Sequence, residues 1–341
     1  MTIEEGKAKI DVTQAKIVSK QMPVFYNPVM KFNRDISVLL LSCMGKQDLI
    51  VGLPLAGSGI RGLRFLLELD KKIIKEVHFN DYDNNFKKNI RKNLKLNKIS
   101  NKKIKLFNAD ANLFLLNSKG FGYIDIDPFG TPNPFLDSAV KRINRDGILA
   151  VTATDTSALS GTYPSACLRK YWAKPLRNEL MHEVGLRILI RKVQLIGAQF
   201  EKALVPIFSF SKDHYMRVYL QCKKGKKDVD SVLKQHGEFM DSGPMWLGSL
   251  FDINLVRKMV KKNDLLENDK FLNIILQESK INNVGFYDIH AIAKRERFKN
   301  MPRKFELIAK INKLGFKASE THFSPEAIRS DIGYKELLKL F

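Results

Sequence analysis

The chain has 341 residues, which is enough for two domains of ordinary size, and 44% of them are hydrophobic, which excludes a globally disordered protein. Its 58 basic and 36 acidic side chains leave a formal net charge of +22, which favours a polyanionic partner such as a nucleic acid, with a membrane surface as the alternative. No apolar run reaches the roughly 20 residues that span a bilayer, and the N-terminus lacks a basic-then-apolar signal pattern, so we expect a cytoplasmic protein.

The cysteines and histidines predict no metal site. The three cysteines, Cys43, Cys167 and Cys222, lie far apart in the sequence and form no Cys-x-x-Cys pair. The six histidines show no spacing that is typical of metal ligands. We therefore expect three buried thiols and neither a disulfide framework nor bound zinc.

The first part of the chain predicts a short hairpin and a helix. Residues 1–22 mix charged residues with residues that favour strands, and apolar positions indicate a helix over 35–43. Arg34 stands at the start of this helix, where the helix dipole disfavours a cation. This position suggests a functional use such as binding a carboxylate, and a surface arginine is the alternative.

A strand is predicted over 49–56, and a turn with the sequence Gly57-Ser58-Gly59 follows it and opens a helix. Glycines between a strand and a helix let a ligand approach the backbone closely. A Gly-x-Gly sequence alone is weak evidence, so the neighbouring strands have to decide its meaning.

The next two predicted strands, 77–81 and 104–110, each end in an acidic residue. Asp81 follows the glycines by about 20 residues, the spacing at which a carboxylate reaches the ribose hydroxyls of an adenosine ligand. Asp110 could accept a hydrogen bond from an adenine amino group, with the backbone N–H of Ala111 as a donor. Each acid could instead cap the helix that follows it.

The fourth predicted strand ends in the sequence Asp125-Ile-Asp127-Pro128-Phe129-Gly. Proline has no N–H to donate, so the strand stops there and Asp127 lies at the carboxyl edge of the sheet, where ligands bind. A carboxylate beside an aromatic ring suits an exocyclic amine on a flat base, because the acid accepts N–H bonds and the ring stacks. A simple Asp-Pro turn is the alternative. Asp125, two residues earlier on the same face, either orients this group or is structural.

The remaining strands complete an α/β fold. A strand is predicted over 147–154, a long helical region over 163–200, and an antiparallel pair over 203–210 and 215–220. Strands that alternate with helices and end in a hairpin predict a seven-stranded, mostly parallel sheet with one reversed strand.

A lysine-rich stretch over 223–227 marks the predicted domain boundary, with one domain over 1–222 and a smaller α+β domain, of winged-helix type, over 223–341. Basic residues cluster in the second domain and predict contacts with phosphates, a solvated charged face being the alternative. They are Arg295, Arg297, Lys299, Arg303 and Lys304. Helical patterns in this domain cover residues 252–262, 269–280, 286–297 and 302–314.

Taken in order, these motifs resemble the tRNA (guanine-26-N2) dimethyltransferases of archaea and eukaryotes, and the similarity extends over nearly the whole chain. The matching stretches are Phe25-Tyr26-Asn27-Pro28-x-Met30, Asn33-Arg34-Asp35, Gly57-Ser58-Gly59-Ile60-Arg61, Asp125-x-Asp127-Pro128-Phe129-Gly130, Asp155-Thr156, Leu159-Ser160-Gly161, Gly243-Pro244-x-Trp246 and Thr321-His322-Phe323-Ser324.

The resemblance implies a Rossmann-like class I methyltransferase fold, S-adenosyl-L-methionine as cofactor, tRNA as partner, and methylation of the exocyclic N2 of guanine 26 to mono- and dimethylguanosine. It implies cofactor contacts at Arg34, Arg61, Asp81, Asp110 and Ala111. It implies a guanine pocket with catalytic roles for Phe25, Asp127, Pro128 and Phe129.

Two departures from the family pattern bear on the site. Leu53 stands where relatives often have an acid at the end of the first strand, so cofactor binding would depend more on Arg34 and Asp81. Only Cys222 remains near the place where many relatives carry a zinc site, so no metal is expected.

Methylation of another exocyclic amine, such as guanine N2 in rRNA or adenine N6, is one alternative function, and an RNA-binding protein without catalysis is another. A monomer is expected.

Overall fold

The computed structural model describes residues 1–12 and 26–341. These residues divide into two compact units. The first unit comprises Met1–Ala153, Ile196–Val205 and Tyr219–Val229, and the second comprises Thr154–Leu195, Pro206–Val218 and Asp230–Phe341. The domain boundary placed after residue 222 from the sequence stays a prediction.

Strands and helices alternate up to residue 153, as the sequence predicts for an α/β fold. The elements are β1 (Thr2–Glu5), β2 (Ala8–Asp11), α1 (Lys31–Cys43), β3 (Leu49–Leu53), α2 (Ile60–Glu68), β4 (Ile74–Asn80), α3 (Phe86–Leu96), β5 (Ile104–Phe107), α4 (Ala111–Leu116), β6 (Phe121–Ile126), α5 (Asn133–Arg142) and β7 (Ile143–Ala153).

The rest of the chain contains α6 (Thr156–Leu159), α7 (Pro164–Tyr171), α8 (Met181–Ala198), β8 (Lys202–Lys212), β9 (Tyr215–Lys224), α9 (Lys226–Leu233), β10 (His236–Phe239), β11 (Ser242–Trp246), α10 (Ile253–Lys262), α11 (Leu266–Glu278), β12 (Tyr287–Asp288), α12 (Ile289–Glu296), α13 (Lys304–Lys313), β13 (Ala318–Thr321), β14 (Ser324–Ser330) and α14 (Tyr334–Leu338).

Seven strands form one sheet in the order β5-β4-β3-β6-β7-β9-β8. The pairs β5–β4, β4–β3, β3–β6 and β6–β7 are parallel. Only two residues connect β8 to β9, and such a short connection requires antiparallel pairing. The predicted seven-stranded, mostly parallel sheet is therefore confirmed. The strands β3 and β6 are buried on both faces, which explains their nearly continuous apolar sequences.

The strand order reverses at β3, which has β4 on one side and β6 on the other. In open α/β sheets, the crevice beyond the carboxyl ends of the strands at such a switch point is the usual ligand site. The turn after β3 and the residues after β6 lie at this crevice, and both carry predicted site residues.

The second unit ends in a small α+β arrangement. The three-stranded sheet has the order β12-β14-β13, and α12 and α13 lie between β12 and β13 in the chain. This order of elements is that of a winged helix, in agreement with the interpretation of the sequence. Its core contains Ile292, Leu307, Ile311, Ile328 and Leu337.

The helical region predicted over 163–200 is wrong as one continuous stretch. Helix α7 ends at Tyr171, and Trp172 adopts a left-handed conformation with φ of 58°. Such a residue terminates a helix, and Pro175 follows shortly afterwards. The structure therefore contains two helices, α7 and α8, joined by residues 172–180. The pair β10–β11 was not predicted either.

The cysteines confirm the expectation of buried thiols, because Cys43, Cys167 and Cys222 are all buried. Burial raises the pKa of Cys167 to about 12 and that of Cys222 to about 11.

Within 1–12 and 26–341, no three His, Cys, Asp or Glu side chains are grouped so that they could bind a metal ion. No helix in the described part of the chain combines the length and apolar character that a membrane span requires.

Candidate active site

The turn between β3 and α2 depends on glycines. Gly57 has a φ of 54°, and Gly59, which precedes the first residue of α2, has a φ of 80°. A Cβ on Gly59 would lie 2.1 Å from Cδ1 of Ile90, so packing requires glycine as well as the backbone conformation does. The hydroxyl of Ser58 is buried without a hydrogen-bond partner, and Ser58 lines the crevice. The turn therefore presents an unsatisfied polar atom to this crevice.

Asp81 follows β4 and is tied to the glycine turn. The backbone N–H of Gly57 donates to Oδ2 of Asp81 at 2.7 Å, and the N–H of Asp83 donates to Oδ1 at 3.2 Å. The buried side chain of Asn80, next to it, donates to the carbonyl oxygens of Pro54 and Ala109, both at 3.0 Å. Asn80 thus joins the loops that follow β3, β4 and β5, and it fixes where Asp81 stands.

Asp110 precedes α4 and serves as its N-cap. Its Oδ1 accepts hydrogen bonds from the backbone N–H groups of Asn112 at 2.8 Å and Leu113 at 3.1 Å. The structure thus realises the capping alternative that the sequence left open. Capping does not remove Asp110 from the edge of the sheet, since the residue is exposed, whereas Ala111 is buried.

Asp127 follows β6 directly, and its carboxylate lies beside Arg61 of α2. Nη2 of Arg61 donates to Oδ2 of Asp127 at 2.6 Å. Nη1 of Arg61 donates to Oδ1 of Asn33 at 3.1 Å and to Oγ of Ser37 at 2.7 Å. The side chain of Arg61 is 9% exposed and that of Asp127 is 22% exposed. The guanidinium is therefore oriented from α1 and holds a carboxylate that still reaches solvent.

Asp125 lies in β6, two residues before Asp127, and its side chain is buried. The hydroxyl of Tyr123 donates to Oδ2 of Asp125 at 2.5 Å, and Nε of Arg61 lies 3.4 Å from the same oxygen. Asp125 and Asp127 therefore share one guanidinium. This geometry links Asp125 to Asp127 through Arg61.

Arg34 binds a carboxylate from within the chain, that of Glu5. Nε and Nη2 of Arg34 donate to the two oxygens of Glu5 at 2.7 and 2.5 Å, and Nη2 also donates to the carbonyl of Asn27 at 3.0 Å. Tyr26 and Arg64 donate to Glu5 as well. Burial on its own would raise the pKa of Glu5, but Arg34 and Arg64 outweigh it and hold this pKa below its usual value.

The crevice is lined by residues from three chain segments that are distant in sequence. Pro128 is partly buried beside it in the chain, and the side chain of Phe129 is 37% exposed. Phe25, which the sequence places in a guanine pocket, lies outside the described residues. The lining residues are Tyr26, Asn27, Arg34, Leu53, Leu55, Ala56, Ser58, Ile60, Arg61, Asp125 and Asp127.

Similarity to known proteins identifies the family to which the chain belongs. The profile of the N2,N2-dimethylguanosine tRNA methyltransferase family matches residues 6–242 and 236–341. The chain belongs to this family. A tRNA (guanine(26)-N(2))-dimethyltransferase of Methanocaldococcus jannaschii is 38% identical over 99% of this chain and 98% of its own length. A tRNA (guanine(26)-N(2)/guanine(27)-N(2))-dimethyltransferase of Aquifex aeolicus is 36% identical over 99% of this chain and 94% of its own.

A solved structure supports the fold of this tRNA methyltransferase family member. The complex of Trm1 from Pyrococcus horikoshii with S-adenosyl-L-methionine matches it with a TM-score of 0.91 and 36% identity, over 99% of both chains. The resemblance inferred from the sequence motifs and the class I methyltransferase fold are thereby confirmed. The roles of the individual site residues stay predictions.

Several residues that build the site of this family member were given no role in the sequence analysis. Asn33 and Ser37 are four residues apart in α1, so they share the helix face that packs inwards, and polar residues on such a face are a recognisable signal. Asn80 stands immediately before a predicted strand-end acid and could have been found in the same way. Glu5 gave no signal, because a charged residue in a short hairpin is ordinarily solvated.

Proposed function

We propose that this chain transfers methyl groups from S-adenosyl-L-methionine to the exocyclic N2 of guanine 26 in tRNA, giving N2-methyl- and N2,N2-dimethylguanosine. The observation that carries the proposal is the position of Asp127. Its partly exposed carboxylate stands at the switch point of the sheet, held by Arg61, next to Pro128 and Phe129. The family membership and the relatives described above support the choice of tRNA and of guanine N2.

The residues present fit the cofactor. The orphaned hydroxyl of Ser58 and the left-handed glycines on either side of it leave the backbone of the turn open to a polar ligand. Asp81 would bind the ribose hydroxyls, while Asp110 and Ala111 would bind the adenine. Arg34 and Arg61 are the cations that line the crevice, and we propose that they bind the carboxylate of the methionine moiety in addition to the carboxylates of Glu5 and Asp127 that they already hold.

When bound, S-adenosyl-L-methionine supplies a methyl group that is already activated by a positively charged sulfur. The task of the protein is therefore to position the amine. Alignment of the reacting atoms alone can lower the activation barrier by about 7–11 kcal/mol. The aromatic ring of Phe129 would stack on the guanine, with Pro128 and Phe25 completing the pocket. The base has to leave its stack first, which costs a few kcal/mol.

Asp127 would accept the proton that guanine N2 loses during methyl transfer. Guanine N2 is a weak nucleophile because its lone pair is delocalised into the ring. A carboxylate oxygen of Asp127 would accept a hydrogen bond from the N2 amine and take its proton as the new C–N bond forms. Nη2 of Arg61 keeps that carboxylate oriented, and Asp125 lies 3.4 Å from Nε of the same guanidinium. A positioned general base contributes roughly 10²–10⁴ in rate.

Residues 223–341 would bind tRNA, largely through its shape and backbone. Helix α13 exposes Phe305, which is 69% exposed, together with Lys310 and Lys313. Arg303 precedes the helix and its side chain is 88% exposed. Exposed aromatic and basic side chains on one element are typical of proteins that bind nucleic acid. We further propose that the protein acts in the cytoplasm as a monomer, since tRNA is its proposed substrate.

Nucleoside mass spectrometry tests the proposal. The chain is incubated with methyl-labelled cofactor and, separately, with an unmodified tRNA transcript, rRNA and DNA. We expect labelled N2-methyl- and N2,N2-dimethylguanosine from tRNA, and none from a transcript in which guanine 26 is replaced by adenine. Label that persists in this transcript would place a target at a neighbouring guanine. Labelled N6-methyladenosine, or label confined to rRNA, would overturn the proposal. So would tRNA binding without any label, which is the behaviour of an RNA-binding protein.

A further inference from the structure

We propose that Trp172 is a stacking residue for an unpaired base of tRNA, on a basic surface that α7 and the residues after it form. This inference rests on tRNA being the substrate, as proposed above. It concerns a contact in the second unit, and none of its residues belongs to the crevice around Asp127. We call this patch the α7 surface, defined by Leu168, Arg169, Trp172 and Lys174.

The position of Trp172 is fixed by three contacts. Its backbone N–H donates to the carbonyl of Leu168 at 3.0 Å, which ends α7, and its own carbonyl accepts from Nη1 of Arg191 at 3.3 Å. Nζ of Lys192 lies 2.9 Å from the centroid of the indole ring. An ammonium group thus occupies one face of the ring. A ring that is already fixed loses little conformational entropy on binding, so the indole is preorganised for stacking.

Despite these contacts, the side chain of Trp172 is 47% exposed. Leu168, one turn earlier on α7, is 61% exposed. An isolated exposed apolar residue needs no explanation, but a fixed, half-exposed indole with a second exposed apolar side chain one helical turn before it indicates a binding surface. Aromatic side chains accept bases of any sequence, because every base has a flat face.

The charge of the surface identifies the occupant as RNA. Residues 155–179 contain four basic side chains, Arg169, Lys170, Lys174 and Arg177, and two acidic ones. Asp155 pairs with Lys170 at 3.2 Å and Glu179 lies 3.7 Å from Arg295, so a net positive charge remains on the α7 surface. Phosphates neutralise such a surface, whereas an apolar protein partner would leave its cations buried without partners. Burial, together with the nearby Arg191, lowers the pKa of Lys192 to about 8. The group still carries most of its charge at pH 7, so the cation–π contact is kept under assay conditions.

The chain supplies its own probe for this contact. It contains two tryptophans, and the other one, Trp246, is 3% exposed and donates its Nε1–H to the carbonyl of Ser249 at 2.9 Å. Acrylamide should therefore quench the fluorescence of Trp172 and leave that of Trp246 largely unaffected. If a base stacks on Trp172, unmodified tRNA should quench its emission and protect it from acrylamide. The variant Trp172→Phe, in which only Trp246 emits, should show neither change.

Affinity measurements complete the test. Trp172→Gly removes the ring without straining the backbone, because glycine adopts a positive φ freely. We expect the Kd for unmodified tRNA to rise about 5- to 100-fold in this variant, the range for the loss of one stacked base. Trp172→Phe should retain most of the affinity. Met240→Ala is the control, because Met240 is 62% exposed in the same unit but has no place on the α7 surface. Cofactor affinity and the thermal midpoint are measured for every variant.

Two results would overturn the inference. One is a Trp172→Gly variant that folds, binds cofactor, and binds tRNA like the wild type. The other is wild-type Trp172 that stays equally open to acrylamide with and without tRNA. Either result, in a preparation that methylates tRNA, refutes the stacking role and leaves the proposed function intact. A wild type that binds tRNA with protection of Trp172 but never methylates it refutes the proposed function alone.

Discussion

The two units hold their carboxylates in opposite ways. In the first unit, Asp127 pairs with Arg61 at the edge of the sheet, and its side chain remains 22% exposed. In the second unit, Glu183 is fully buried between Arg187 at 2.9 Å and Arg329 at 2.6 Å. The N–H of Gly285 adds a third hydrogen bond to Glu183 at 3.0 Å.

The charged groups of this cluster in the second unit bind one another and nearby backbone carbonyls. Arg329 also donates to Glu278 at 2.8 Å and to the carbonyls of Asn283 and Gly285 at 2.9 and 3.0 Å. A buried charge needs such a complete set of partners, because the loss of one leaves another uncompensated. The comparison teaches that a carboxylate–arginine pair indicates structure where it is buried and saturated. We propose that it is functional where it stands partly exposed at the switch point of a sheet.

Removal of Asp127 should have the largest effect on activity. If its carboxylate takes the proton from guanine N2, Asp127→Ala should lower the methylation rate by about 10²–10⁴-fold, while tRNA affinity changes little. Single-turnover assays with saturating enzyme measure this rate. Asp137→Ala, which removes an exposed carboxylate paired with Lys141 on α5, is the matched control and should leave the rate unchanged. Near-normal turnover of Asp127→Ala would exclude Asp127 from the reaction.

Breaking the closed cluster should affect stability and not the chemistry. Glu183→Gln leaves Arg187 and Arg329 short of a buried counter-charge, and we expect the free energy of unfolding to fall by about 3–5 kcal/mol. Urea denaturation measures this loss. Glu179→Gln is the control, since Glu179 is partly exposed and lies 3.7 Å from Arg295, and it should cost at most about 1 kcal/mol. Equal losses in the two variants would contradict the distinction drawn between buried and exposed pairs.

The smallest expected effect is the pH dependence contributed by Glu278. Burial would raise the pKa of Glu278, but His322 and Arg329 outweigh it and lower this pKa to about 2 from its ordinary value of 4.5. Because the folded-state pKa is depressed, the pairing contributes fully above about pH 4.5 and its contribution is lost as the pH falls towards 2. The contribution is about 3 kcal/mol. Urea midpoints between pH 7 and 3 should decline less steeply in Glu278→Gln than in the wild type. Parallel curves would refute the assignment.

The sequence by itself determined the alternation of strands and helices and the places where strands end. It identified the glycine turn, Asp81 and Asp127 at those ends, because the burial of a strand and the turn that stops it are written in neighbouring residues. Its motifs also sufficed to recognise the family. The break between α7 and α8 was missed although Pro175 is a local signal for the end of a helix, whereas tryptophan gives no indication of the left-handed conformation that ends α7.

Only the tertiary structure decided which charges meet. Arg61 and Asp127 are 66 residues apart, and Arg34 and Glu5 are 29 apart. Glu183 and Arg329 are separated by 146 residues. Each pair forms because packing brings distant segments together and removes competing water. No local pattern encodes that choice, since the free energy of a charge pair depends on its burial and on every other partner within reach.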